Sequence, residues 1–317
     1  MRQKNTPRPS DEMTRMTTMA VSTGRPPSAP TNGAPGTMPD VQASGDTRQV
    51  AIDRVGVKDV TYPIRLVVPD THGGGTQTTV ATIAMYVSLP HYQKGTHMSR
   101  FLEVLNEHAG SAGAGSELIP ITPTDIPKIT AAIRDRLDAE EARFEATFTY
   151  FINKKAPVTG SPGLMDYRVN FACISSRTGS TDDFVMAVMA PAASLCPCSK
   201  EISKYGAHNQ RCLIEAKVRF DLAKGPLWIE CLADIIEKAA SCPVFAVLKR
   251  PDEKWVTEHA YDNPKFVEDI IRDLALALNQ EPRITWYAIS SENFESIHNH
   301  NAYAEIIRDK RATDLPL

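Results

Sequence analysis

From residue 48 onward, apolar and polar positions alternate, then fall into helical spacing, then alternate again, and each change of period marks a new element. The stretches "VGVKDVTYPIRLVV" (55–68) and "TTVATIAMYVSL" (78–89) read as strands, and the glycines of "THGGGTQ" between them predict a hairpin turn. In "MSRFLEVLNEHA" (98–109) and "DIPKITAAIRDRLDA" (125–139) the apolar residues fall three and four apart, which predicts two helices. Thr96 or Ser99 is placed to cap the first, and Thr124 or Asp125 the second. Period two returns in "ARFEATFTYFIN" (142–153) and "MDYRVNFACISS" (165–176), completing the order strand, strand, helix, helix, strand, strand.

That order then recurs, roughly 125 residues later, without obvious identity between the halves. Strands are predicted in "DDFVMAVMAP" (182–191) and "CLIEAKVRFD" (212–221), helices in "LWIECLADIIEKAA" (227–240) and "NPKFVEDIIRDLALALN" (263–279). Strands follow in "PRITWYAISSE" (282–292) and "AYAEIIRD" (302–309). The helix over 264–279 has Asp262 or Asn263 as cap, Pro264 in its first turn and one stripe of Val267, Ile270, Ile271, Leu274 and Leu278. Two such units with antiparallel sheets make an α+β protein with modules at 48–178 and 179–317. Residues 1–47 are rich in Pro, Ser, Thr and Gly and nearly devoid of large apolar side chains, so a disordered tail is expected there.

Composition narrows the function. A net charge of −3, from 35 basic and 38 acidic residues, gives no overall field for a polyanion, so no nucleic-acid role is expected and any phosphate site must be local. The six cysteines are irregularly spaced and follow no secretory leader, which predicts free thiols in a reducing cytoplasm. No apolar run approaches the roughly 20 residues of a membrane span.

Candidate chemistry concentrates in "LCPCSKEISKYGAHNQR" (195–211). Cys196 and Cys198 sit two apart, so an extended backbone presents both sulfurs on one side, and His208 follows ten residues after the second. Thiolate and imidazole suit a divalent metal, and a catalytic site needs three protein ligands with one position left open. A nucleophilic cysteine with a nearby base, or plain structural thiols, answer to the same spacing. Lys200, Lys204 and Arg211 lie nearby with the hydroxyls of Ser194, Ser199 and Ser203, and the basic residues favour an anionic substrate. Downstream, Glu268 borders the apolar stripe of its helix near the N-terminus, and "SENFESIHNHNAY" collects Glu292, Glu295, His298 and His300.

Taken together, "CPCSKEISKYGAHNQR", "LKRPDEKWVTEHAYDNPKFVEDIIRDLA" and "ENFESIHNHNAYAEI" resemble the type IB GTP cyclohydrolase I family, over roughly residues 50–315. The resemblance implies a bimodular tunnelling fold, with the repeated unit present twice, and a homotetramer whose active sites lie between subunits. It implies conversion of GTP and water to 7,8-dihydroneopterin triphosphate and formate, the first step towards tetrahydrofolate. Cys196, His208 and Glu253 then stand where the family's metal ligands stand, and Cys198 is a second thiol of the site. Glu268 resembles the glutamate that anchors the guanine edge. Glu295 and His298 look like proton-transfer residues, and Lys200 and Arg211 are candidates for the triphosphate. The expected metal is Zn²⁺ or Mn²⁺, with Fe²⁺ also compatible. Two rivals are a tunnelling-fold reductase that attacks a deazaguanine nitrile through cysteine, and a non-catalytic scaffold with a structural zinc.

Overall fold

The structure, a computed structural model, describes residues 40–113, 116–179 and 183–312. The first half runs β1 (Ile52–Val67), β2 (Thr76–Leu89), α1 (Met98–Ala109), the short β3 (Gly110–Gly113), β4 (Ser116–Leu118) and β5 (Pro120–Ile121), α2 (Ile126–Arg136), β6 (Glu141–Lys155) and β7 (Pro162–Ser176). The second runs β8 (Asp183–Leu195), α3 (Pro197–Ile202), β9 (Asn209–Phe220), α4 (Ile229–Ala239), β10 (Cys242–Pro243), α5 (Arg250–Asp262), α6 (Val267–Gln280), β11 (Ile284–Asn293) and β12 (Ala302–Asp309).

The long strands form one sheet in the order β12-β11-β9-β8-β7-β6-β2-β1, each antiparallel to its neighbours, with β5 parallel to β1 at one edge. The two halves are joined inside the sheet, where β7 pairs with β8 from Arg168↔Met189 to Ile174↔Asp183. Alternation explains the core: Phe144, Ala146, Phe148 and Tyr150 of β6 are buried with Met186, Val188, Ala190 and Ala192 of β8. Edge-to-face contacts link Phe148, Phe171, Phe184 and Phe220 from β6 to β9, with centroids 5.2 to 5.6 Å apart, so one aromatic row crosses the junction between halves. Helices α1, α2, α4 and α6 bury their apolar stripes in this same core.

Several caps differ from expectation. His97, not Thr96 or Ser99, precedes α1, with no side-chain cap. Asp125 does precede α2, but its carboxylate turns back to accept from the Thr122 N–H and hydroxyl at 2.9 and 2.7 Å. α6 begins at Val267 rather than 264, because residues 263–266 form a link after an unpredicted helix, α5, in which the Lys265 N–H donates to the Leu195 carbonyl at 3.0 Å and Phe266 is extended. Asn263, which a following proline disfavours from helical geometry, closes α5 and donates to the carbonyls of Ala240 and Ser241. Of the expected tail, residues 1–39 lie outside the described residues. Residues 42–46 are strapped to the chain by backbone bonds to Tyr92, Lys94 and Gly95.

Candidate active site

The candidate residues gather where β8, β9 and β11 end beside the start of α6. The β8–β9 ladder closes with Ser194↔Gln210 and Leu195↔Asn209, and Cys196 N–H still donates to the His208 carbonyl at 3.2 Å. Cys196 and His208 therefore stand directly opposite one another, with side chains on the same face as Ser194 and Gln210. Pro197 opens α3 immediately after Cys196, and the Ser199 N–H donates to Cys196 Sγ at 3.4 Å.

A pocket of about 200 Å³ lies over this face, lined among others by Ser194, Cys196, Gln210, Glu268, Asn293 and Glu295. Its floor is a buried polar network. Asn293 Nδ2 donates to Ser194 Oγ at 3.0 Å, and Ser194 Oγ donates to the Lys265 carbonyl at 3.0 Å, fixing the segment that leads into α6. Glu268, the second residue of α6, is thereby held at the pocket wall and is exposed. Lys265 also borders the pocket, but its ammonium is already held by Asp273 at 2.7 Å and the Ala239 carbonyl at 2.9 Å.

One wall is a chain of side-chain hydrogen bonds. His208 Nδ1 lies 2.9 Å from Gln210 Oε1, and Gln210 Nε2 lies 3.4 Å from Glu295 Oε1. Ser296 Oγ stands 3.4 Å from the same Nδ1. Among the described residues His208 Nε2 has no hydrogen-bond partner.

Thus Cys196, His208, Glu268 and Glu295 come together within one chain. The others do not. Cys198 is exposed on α3. Lys200 gives its ammonium to the Tyr261 carbonyl and lies 4.2 Å from the Tyr261 ring centroid, pinned to the end of α5. Arg211 is exposed on the opposite face of β9 from Gln210. His298 lies in the exposed 294–301 connection, stacked on His300 with centroids 5.0 Å apart.

Glu253 sits in the first turn of α5, which packs through Trp255, Val256 and Ala260 against Ala193, Leu195 and Cys242. Ala193 and Leu195 alternate with Ser194 and Cys196 along β8, so α5 covers the other face of that strand. Among the described residues no three His, Cys, Asp or Glu side chains converge as a metal site. The donor chemistry of Cys196 and His208 fits a divalent ion: an opposed thiol and imidazole, the imidazole with Nδ1 engaged and Nε2 free. The Glu253 carboxylate has no hydrogen bond or ion pair among the described residues, but it does not join them within one chain.

Sequence reasoning noted the Ser194 hydroxyl only as a neighbour of the two cysteines, and it missed Gln210 and Asn293. Ser194 precedes Cys196 by two and Gln210 follows His208 by two, so the strand period already placed both on the face of the residues it singled out.

A uricase from Bacillus fastidious superposes with a TM-score of 0.52 at 11% identity, over 82% of this chain and 94% of that one, which gives the tunnelling fold alone. The proteins named GTP cyclohydrolase FolE2 from Magnetococcus marinus and Nitrosococcus oceani are 53% and 49% identical over 86% of this chain. Those alignments cover 97% and 95% of the respective relatives. With its residues 38–304 also matching the family model for type I GTP cyclohydrolase folE2, the chain belongs to that family.

Proposed function

We propose that this chain hydrolyses GTP to 7,8-dihydroneopterin triphosphate and formate, the first step of tetrahydrofolate synthesis, in the cytoplasm. The observation that carries the reading is the convergence of Cys196, Glu268 and Glu295 on one pocket, with His208 paired to Cys196 beside it. Each stands where its family motif assigns a part in binding or opening a guanine ring.

The chemistry required is hydrolysis at C8 of the purine, a weakly electrophilic carbon. Glu268, ionised, can only accept hydrogen bonds, which suits the N1–H and exocyclic amine of guanine. That contact orients the base so that C8 and N7 face the sheet end. Glu295, at the pocket, accepts and returns protons as the ring opens, and His298, which lies outside the pocket within one chain, is assigned the proton for N7 only in the assembled oligomer. Breaking the C8–N9 bond and then the C8–N7 bond releases formate. The ribose opens, rearranges by proton transfers at C1′ and C2′, and closes on the freed amine, steps that reuse the same acid and base. Cys196, His208 and Glu253 would hold a divalent ion, Zn²⁺, Mn²⁺ or Fe²⁺. The chemistry it supplies when bound is Lewis acidity, which eases deprotonation of water.

The reading includes a homo-oligomer, a homotetramer with sites between subunits. A pocket of about 200 Å³ is smaller than the roughly 300–1,000 Å³ typical of ligand sites, and its one lining lysine is already paired. The connections beside it expose Ile202, Tyr205, Phe294 and Ile297, and β12 ends the sheet with Tyr303 and Ile307 exposed. Apolar rims and an open strand edge are what a second subunit covers. Among the described residues no helix is long and apolar enough to cross a membrane.

The test is to strip the protein with chelator and assay GTP turnover after adding back Zn²⁺, Mn²⁺, Fe²⁺ or Mg²⁺, following formate and the oxidised fluorescent pterin. Both products are expected with a divalent metal and neither with Cys196→Ala or His208→Ala. A folded oligomer yielding neither with any metal would sink the reading.

A further inference from the structure

The polar chain that crosses the pocket has a direction. At its 3.4 Å contact with Glu295 Oε1 the Gln210 amide presents Nε2 as the donor. With the amide turned that way, Oε1 faces His208 Nδ1 at 2.9 Å and can only accept, so Nδ1 must carry the imidazole proton. Ser296 Oγ, at 3.4 Å, is compatible as a second acceptor. The lone pair of His208 is then at Nε2, which has no hydrogen-bond partner among the described residues. Gln210 is 8% exposed, on a ladder position fixed opposite Ser194, so its side chain has little freedom to turn elsewhere.

We infer that Gln210 is a positioning residue that ties the two halves of the site together. Through one amide it fixes the tautomer and ring plane of His208 for a divalent cation and holds Glu295 for proton transfer. A neutral amide is suited to this double task. A carboxylate in its place would still accept from Nδ1 but would repel Glu295, and an apolar side chain would serve neither neighbour. The inference rests on the reading of Cys196 and His208 as metal donors, and the experiment separates the two.

The experiment titrates metal-free protein with Co²⁺ and follows the near-ultraviolet thiolate-to-cobalt absorption, for wild type, Cys196→Ser, Gln210→Met and Gln210→Glu, with GTP turnover measured in parallel. In the wild type a band that Cys196→Ser removes is expected. Gln210→Met is expected to bind Co²⁺ about 10- to 100-fold more weakly, the usual cost of losing the group behind a ligating histidine. Gln210→Glu is expected to keep wild-type Co²⁺ affinity, because the acceptor is restored, yet to lose turnover, because Glu295 is displaced. This rescue of binding without activity separates positioning from a general structural defect and does not depend on Gln210→Met folding well. Wild-type affinity in a folded Gln210→Met, or loss of affinity in Gln210→Glu, overturns the role of Gln210 while leaving the metal reading intact. A wild type without a Cys196-dependent band overturns both, and that result is read before any Gln210 variant is considered.

Discussion

Tyr150 and Tyr167 face each other across the β6–β7 ladder, and each gives its hydroxyl proton to a different glutamate of α4, Glu230 and Glu237. The two strands belong to the first half of the chain and the helix to the second. Burial pushes both phenols up from their ordinary range, and the glutamates add to the shift, so the tyrosines stay protonated donors. Lys154 completes the cluster by pairing with Glu237.

Tyr150→Phe leaves the buried Glu230 without its tyrosine donor. Hydrogen bonds to charged groups contribute about 1.5–3 kcal/mol, and urea unfolding is expected to show a loss of that order. A loss within experimental error would show that Glu230 finds another partner.

Asp252 is a second link between the halves. Its carboxylate is fully shielded and accepts from the N–H groups of Val158, Thr159 and Lys249 and from the Thr159 hydroxyl, clamping the β6–β7 turn to the start of α5. Burial opposes its ionisation, but those donors prevail and hold it well below the usual carboxylate range. A depressed folded-state pKa contributes stability above the unfolded value of about 3.9, and that stability is lost as pH falls further. Asp252→Asn is therefore expected to melt lower than wild type at pH 7 and to lose less on acidification from pH 5 to 2. Parallel melting curves across that range would refute the clamp.

On the proposed reading Glu268 accepts from the guanine edge, and Glu268→Gln replaces one of its acceptor oxygens with an amide donor. kcat/KM for GTP is expected to fall roughly 10- to 150-fold, matching about 1.5–3 kcal/mol for a charged hydrogen bond, with little change in melting temperature. With inosine triphosphate, which lacks the exocyclic amine, the gap between wild type and variant should narrow. An equal gap for both nucleotides would move Glu268 away from that amine.

Thiol reactivity should follow burial. Burial pushes Cys212 up to about 12 and Cys242 up to about 11, whereas Cys198 is exposed and Cys196 borders the pocket. Brief iodoacetamide treatment at pH 8, read by peptide mass, is expected to label Cys198 and Cys196 and spare Cys212 and Cys242. Protection of Cys196 by added Zn²⁺ would support its part in metal binding.

The repeated strand and helix order was legible because strands such as β6, β7 and β9 bury every second residue along most of their length, and α6 carries an unbroken apolar stripe. α5 escaped notice because "RPDEKWVTEHAYD" has no such stripe: only Ala260 and Asp252 are buried, and the latter is an acid. Its start was marked by Pro251 and Asp252, a signal that composition alone made look like a charged loop. At the site, chemically distinctive residues could be named one by one. What joins them could not, since the Glu295–Gln210–His208 contact spans 87 positions and depends on three strands, β8, β9 and β11, meeting at one end. The pinning of Lys200 by Tyr261 is likewise invisible until α5 exists.

Because Cys196, His208, Gln210 and Glu295 are assembled by ladder register, the site is also a reading frame. One residue inserted within β9 ahead of Phe220 would leave the strand's composition almost untouched, yet carry Asn209 and Arg211 to the positions of His208 and Gln210. A guanidinium would then point into the pocket and the imidazole away from it. Length changes in this protein are thus tolerable in the connections and decisive in the strands, so its history of insertions and deletions should be written between the ladders.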